Sequence, residues 1–247
     1  VKGLDIRAGE DKGRIYRITK KGQAAAALPV VAGNLRSPNG WVRDTAMRLI
    51  VEQLDKGSAP ALEETFRQGT PRSQVQALLG AEHDSEIIFT SCGTESDSTA
   101  ILSALKAQPE RNTVITTVVE HPAILTLCEH LEKEGYTVHR LKVDSKGRLD
   151  LDAYKALLSD DVAIVSVMWA NNETGTLFPV VEMAELASAK GIMFHTDAVQ
   201  AVGKIPIDLK NTKIDMLSLS GHKLHAPKGI GVLYLRRNTR FRPLLRG

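Results

Sequence analysis

From Ser73 onward the chain alternates short, dense apolar runs with longer amphipathic ones. "SEIIFTS", "NTVITTVVE", "YTVHRLKVD", "VAIVSVMWA", "IMFHTDA", "DMLSLS" and "GIGVLYLRR" are rich in β-branched residues and predict strands. Between them, "TESDSTAILSALKAQ" sets Ala100, Ile101, Ala104 and Leu105 on one helical stripe. "HPAILTLCEHLEKEG" does the same with Ile124, Leu125, Leu127, Cys128 and Leu131. Pro122 falls in its first turn, where a missing N–H costs nothing, and Gly135 stops it. "LDLDAYKALLS" and "VVEMAELASAKG" predict two further helices. Strands that are nearly all apolar, each separated by a helix, predict a mostly parallel sheet covered on both faces. The expected fold class is therefore α/β in three layers.

The first part of the chain reads differently. "DKGRIYRITKKG" alternates Ile15, Tyr16 and Ile18 with Arg14 and Arg17, as a short exposed strand does. "SPNGWVRDTAMRLIVEQLDKG" predicts a turn at Pro38–Gly40, then a helix with Val42, Ala46, Leu49, Ile50 and Leu54 on one face. Gly57 is its stop. Glu10 and Asp11 beside the basic residues Arg14, Arg17, Lys20 and Lys21 favour a solvated strand edge over a phosphate site. Two segments are thus expected, 1–71 without evident chemistry and 72–247 as an α/β domain.

Composition narrows the function classes. The chain has 247 residues, 43% hydrophobic and 25% charged, which is ordinary for a globular protein. A net charge of +3 is too balanced to imply nucleic acid as a partner. Two cysteines make no disulfide framework. No apolar run approaches the ~20 residues of a membrane span, and Val1–Thr19 lacks the apolar centre of a signal peptide. A cytoplasmic protein with no membrane or nucleic-acid partner is expected. The chain opens on Val1, so its true start is expected upstream.

In open α/β sheets, ligands sit at the carboxyl ends of the strands. Those ends carry a consistent set of groups. "IIFTSC" is followed by Gly93 and Thr94 at a predicted helix start, where free N–H groups bind anions. "VITTVVE" is followed by His121, "VSVMWA" by Asn171 and Asn172, and "IMFHT" by Asp197 with Gln200 three residues on. "MLSLS" ends at Ser220 and is followed by Gly221, His222 and Lys223. Each has a bland reading: a histidine or aspartate after a strand is commonly a helix cap, and "NNETG" is good loop chemistry. His195, Asp197, His222 and His225 could also be read as metal ligands, but a lysine among them does not suit a ligand set, and no metal is expected. Taken together, the groups are an anion cradle, an imidazole, an amide, a carboxylate and an amine. Pyridoxal phosphate asks for that combination: a phosphate site, a stacking partner, a donor to the ring hydroxyl, a carboxylate for the pyridine nitrogen and a lysine for imine formation.

"CGTESDSTAILSALKAQPER", "VVEHPA", "VMWANNETGTLFP", "FHTDAVQAVGKIPIDL" and "LSLSGHKLHAPKGIGVLYLRR" closely resemble the cysteine desulfurases, class V aminotransferase-type enzymes of the fold-type I pyridoxal-phosphate group. With "TRFRPLLRG" the resemblance is to the nitrogen-fixation type, and it runs from about Ser73 to Gly247. It implies pyridoxal 5'-phosphate as cofactor, L-cysteine as substrate, a homodimer, and an iron-sulfur scaffold or other sulfur acceptor as partner. It further implies that Lys223 is the imine-forming lysine and His121 the stacked imidazole and acid/base group. Asp197 would face the pyridine nitrogen, Gln200 the ring hydroxyl, and Asn172 the same edge. Gly93, Thr94, Ser220 and His222 would hold the phosphate. Lys223 is expected to be partly desolvated, which lowers an amine pKa.

The resemblance is incomplete at both ends. The family's "Tyr-Leu-Asp-Asn-Asn-Ala-Thr" segment has no counterpart in Val1–Pro71, where "GRIYRI" and "SPNGWVRDTAMRLIVEQ" weakly resemble the end of a sugar-dehydrogenase-like propeller running into helical repeats. The family's substrate-binding arginine and sulfur-accepting loop cysteine would follow Gly247. Cys92 is expected beside the phosphate cradle and Cys128 in a helix stripe, so neither is that cysteine. The chain is therefore expected to bind cofactor without sustaining desulfuration. A selenocysteine lyase or other class V enzyme, and a catalytically incompetent cofactor-binding fragment, are the alternative readings.

Overall fold

A computed structural model describes residues 70–245. The strand and helix predicted ahead of Gly57, and the propeller-like resemblance there, lie outside these residues. Helix α1 (Pro71–Leu79) comes first. Thr70 caps it by accepting the Ser73 N–H, Pro71 opens it, and Gly80 closes it in the left-handed region at φ 60°. A 3-10 turn (Asp84–Glu86) leads into β1 (Ile87–Thr90). Then follow α2 (Gly93–Ala107), β2 (Thr113–Thr117), α3 (Pro122–Lys133) and β3 (Thr137–Leu141). The chain continues through α4 (Leu151–Leu157), β4 (Val162–Ser166), α5 (Val180–Ser188) and β5 (Met193–Asp197). It ends with β6 (Met216–Ser220), a 3-10 turn (Gly221–Leu224) and β7 (Gly231–Leu235).

The described strands form one seven-stranded sheet in the order β1-β7-β6-β5-β4-β2-β3. β3, β2, β4, β5 and β6 run parallel, while β7 is antiparallel to both β6 and β1. β1 is consequently parallel to β6 although the two never touch. The carboxyl ends of β1, β2, β4, β5 and β6 share one edge of the sheet. The chain steps outward from β2 to β3, then returns to the other side of β2 at β4. That reversal opens a crevice at this edge.

Strand alternation divides the core in two. Ile115, Val165, Phe194, Leu217 and Tyr234 pack on one face with Leu79 of α1, Tyr154 of α4 and Met183 of α5. Val114, Ile164, Met193, Met216 and Leu233 pack on the other with Ala100, Ile101 and Ala104 of α2 and Ile124, Cys128 and Leu131 of α3. This is the three-layer arrangement that the apolar pattern predicts. The central strands β2, β4, β5 and β6 are buried throughout, whereas the two edge strands are not. Phe89 of β1 remains 43% exposed.

Gly231 shows why one turn is spaced as it is. A Cβ there would stand 2.5 Å from the Cys92 carbonyl carbon and 2.6 Å from Thr90 Oγ1. The close approach lets β7 pair with both Thr90 and Ser220. Gly231→Ala is expected to destabilise the fold by roughly 1–3 kcal/mol through this overpacking. Urea unfolding checks it, and an unchanged midpoint would mean the end of β1 yields freely.

Candidate functional site

The crevice at the carboxyl edge is a cavity of about 360 Å³. Gly93 and Thr94 enter its wall from the start of α2, His121 from the start of α3, and Asn172 from the loop after β4. Asp197 and Gln200 follow β5, and Ser220, His222 and Lys223 follow β6. All nine residues singled out in the sequence thus line one cavity. A second hollow, about 600 Å³, lies over the Val143–Leu149 bridge. Both its acids are already engaged, Asp144 by Arg148 at 2.8 Å and Asp150 by the Asp152 and Ala153 N–H groups.

The α2 end of the cavity suits an anion. Cys92 caps α2 with extended backbone and no side-chain bond, so the Gly93 and Thr94 N–H groups are left for a ligand. Glu95, the only acid in this first turn, folds back to accept from the Ser91 N–H and hydroxyl at 2.6 and 2.5 Å. A Cβ on Gly93 would meet Val199 Cγ2 at 3.2 Å, so glycine keeps the approach open. Across from it, Ser220 Oγ lies 2.8 Å from His222 Nδ1.

The opposite wall carries a buried carboxylate. Asp197 is 5% exposed, and its Oδ1 accepts the Val199 N–H at 2.9 Å. Burial raises its pKa, and the Val199 N–H and the His121 charge offset this in part. Gln200 accepts from Lys204 Nζ through Oε1 at 2.7 Å, which leaves its NH₂ as the free donor. Lys204, for its part, is held below the usual lysine range by burial and then by the Lys223 charge.

His121 is both a cavity residue and a helix cap, since Nδ1 accepts the Ala123 N–H at 3.2 Å. The neutral ring therefore carries its proton on Nε2. Lys223 departs from expectation. Instead of being partly desolvated it is exposed, because the 3-10 turn carries it off the buried strand and past the sheet edge. Cys92 lies two residues beyond β1, partly buried in the cavity wall. Cys128 is fully buried, and burial pushes its thiol up to about 11. Of the residues a metal would need, His195 is buried between Ser166 (2.9 Å) and Ser218 (2.8 Å). Among the described residues no group of three or more His, Cys, Asp or Glu is placed to hold a metal ion.

Three residues matter here that the sequence reading left without a role: Asp97 and Glu120 were passed over, and Asn171 was named only as a strand-end residue. Asn171, rather than its neighbour, shapes the loop: Oδ1 accepts from the Glu173 and Thr174 N–H groups, and Nδ2 donates to Val119 O at 3.0 Å. It thereby ties the Asn172 loop to the segment that carries His121. Glu120 is buried and accepts from Thr117 Oγ1 at 2.7 Å and from Met168 N at 3.0 Å, joining the ends of β2 and β4. Asp97 is buried against the cavity one turn into α2. An acid on a helix's apolar stripe, four residues ahead of Ile101, was the available signal for Asp97.

Comparisons with known proteins agree with this geometry. The aminotransferase class-V family model matches residues 58–247, beginning ahead of the boundary at 72 that the sequence pattern predicts. The cysteine desulfurase NifS of Azotobacter vinelandii is 81% identical over 176 residues, 71% of this chain and 44% of that protein. A solved NifS-like protein superposes with a TM-score of 0.68 at 39% identity, over 71% of this chain and 49% of that one. A second, described as SspA in complex with cysteine, gives a TM-score of 0.68 at 37% identity, over 71% and 51%. The chain spans less than half the length of the curated relatives it matches. A match across residues 58–247 on this three-layer fold places the chain in the class-V aminotransferase family.

Proposed function

We propose that this chain is the cofactor-binding lobe, read from the sequence as 72–247, of a pyridoxal-phosphate-dependent cysteine desulfurase. The enzyme would take sulfur from L-cysteine as a persulfide, release L-alanine, and pass the sulfur to an iron-sulfur scaffold or other acceptor. A homodimer working in the cytoplasm belongs to the same reading. The observation that carries it is one cavity holding a lysine amine, a helix-start anion cradle and a buried carboxylate. The relatives' names supply the substrate.

The residues present fit the cofactor. The Gly93 and Thr94 N–H groups, the Thr94 hydroxyl, Ser220 and His222 would hold a phosphate. Asp197 is a carboxylate kept on a cavity wall despite its burial, which suits a protonated ring nitrogen. Gln200 offers its free NH₂ to a ring hydroxyl, Asn172 reaches the same edge, and His121 would stack on the ring. Bound there, pyridoxal phosphate would supply an aldehyde that takes up amines and a sink for the electron pair left at a substrate Cα.

The chain's own groups divide the work. Lys223 Nζ would hold the aldehyde covalently and would supply the amine that accepts a substrate Cα proton. His121 is poorly suited to that step, because a base at Nε2 needs the tautomer that gives up the Ala123 cap, costing about 1 kcal/mol. Its Nε2–H is instead a donor. Asp197 would keep a proton on the ring nitrogen by its negative charge.

The test is Cα hydrogen exchange in deuterated solvent, with L-cysteine or L-alanine and added pyridoxal phosphate. Exchange above that of free pyridoxal phosphate is expected. Asp197→Asn should lower it by about 10²-fold, because an amide cannot hold the ring nitrogen's proton by charge. Undiminished exchange in the variant would make Asp197 a turn-forming residue and no more.

A further inference from the structure

Asp97 sits on the α2 face of the sheet, where β5 presents His195 and Asp197 and β6 presents Ser218 and Ser220. It is 2% exposed, it lines the cavity, and its Oδ1 has no hydrogen-bond partner. The nearest basic group, His195 Nε2, is 3.7 Å from that oxygen. It offers no counter-charge: both ring nitrogens are engaged by serine hydroxyls, and burial pushes its pKa down to about 3. The other groups that bear on Asp97 are acids or a thiol: Asp197 from β5, Glu120 from the end of β2, and Cys92 from the start of its own helix. Only the Ser218 hydroxyl favours its charged form. Buried carboxyls crowded without a cation cannot all ionise.

The two aspartates are not equivalent. The Asp197 anion accepts a backbone N–H, that of Val199, whereas Asp97 has only the Ser218 hydroxyl. We propose that Asp97 is a positioning residue that keeps its proton behind Asp197, so that Asp197 alone carries negative charge at the cavity wall. Burial, and then the charge of Asp197, raise the Asp97 pKa well above the usual carboxyl range, which supports this order of ionisation. The consequence for the cofactor rests on the reading that Asp197 faces the ring nitrogen: one charge there matches one ring proton, and two would leave a buried anion unpaired.

The experiment is ¹³C NMR of the cofactor-free chain with labelled aspartate carboxyls, in which Glu120 is silent. At neutral pH one carboxyl resonance is expected at the position of a protonated acid. It should persist in Asp197→Asn and disappear in Asp97→Asn. Its loss in Asp197→Asn, or its absence from the native chain, would overturn the proposal. Pyridoxal phosphate affinity is the second readout. Asp97→Asn exchanges one neutral group for another and should hold affinity within about twofold. A tenfold loss in Asp97→Asn would show that the Asp97 charge is required and would also overturn the proposal. A chain with the expected resonances that binds no pyridoxal phosphate would count against the cofactor reading alone.

Discussion

Lys223→Ala is expected to abolish covalent attachment of pyridoxal phosphate while leaving the fold intact. Lys223 is exposed and makes no described hydrogen bond or ion pair, so its removal costs little stability. Among the described residues it is also the only lysine in the cavity wall. Lys204 is the nearest competitor, but its Nζ is bonded to Gln200. Lys228 stands further along the loop before β7. Reduction with borohydride followed by peptide mapping reads the result directly. The native chain should carry its pyridoxyl label on Lys223, and the variant should fall to background. Residual binding through the Gly93–Thr94 cradle would remain, reversible on dialysis. A label on Lys204 or Lys228 in the native chain would sink the assignment and, with it, the division of roles at the site.

Glu120→Gln is expected to remove a large part of the chain's loss of stability toward alkaline pH. Burial raises the Glu120 pKa to about 8, and the bonds from Thr117 and Met168 offset this only in part. The sign follows from the ordinary glutamate value of 4.5 in the unfolded chain. Below that value both states are protonated and Glu120 costs nothing. Between 4.5 and about 8 the unfolded chain releases the proton while the folded chain retains it, so stability falls as pH rises. Above about 8 both are ionised and the loss levels off. A gap of this size corresponds to as much as ~5 kcal/mol. A glutamine can still accept the Met168 N–H and does not titrate. Urea unfolding at several pH values across that window compares the two proteins. Asp97, Asp197 and Asp215 are raised in the same direction, so the difference between curves, rather than the native slope, isolates Glu120. Parallel curves would mean that Glu120 is ionised throughout and balanced by its hydrogen bonds.

Much of this architecture is legible in the sequence because the central strands are buried on both faces. Nothing but apolar and small residues suits β4, so "VAIVSV" announces itself, and the stripes of α2 and α3 follow from helical spacing. The site was legible for a related reason: polar residues that end an apolar strand have few uses other than turns and ligands. Strand direction was not legible. "GIGVLYLRR" reads the same whether it runs with its neighbours or against them, and only the short return from Lys223 to Gly231 makes β7 antiparallel. α1 was passed over although Thr70, Pro71 and Gly80 mark both its ends, because its nine residues bury only Leu79 and present a weak stripe. Asp97 and Glu120 were missed, and Asn171 was left without a role, for another reason. Their importance lies in what surrounds them after folding, and an acid or amide in a string of residues does not announce that it is enclosed.

The position of β7 between β1 and β6 has a consequence for the order in which the molecule can be made. Ile87 pairs with Tyr234, and among the described residues β1 has no other strand neighbour. The parallel strands from β2 to β6 can assemble as each emerges during synthesis, each new strand finding one already made. β1, synthesised before all of them, has to wait. The cradle at Cys92–Thr94 hangs from its end, so the anion site is not fixed in relation to Lys223 until the last strand has closed the longest loop in the sheet. Such non-local pairing is slow to form and leaves the waiting strand's edge open to other chains meanwhile. The candidate site is thus expected to be a late product of folding, and binding of a phosphate ligand would report that the chain has finished.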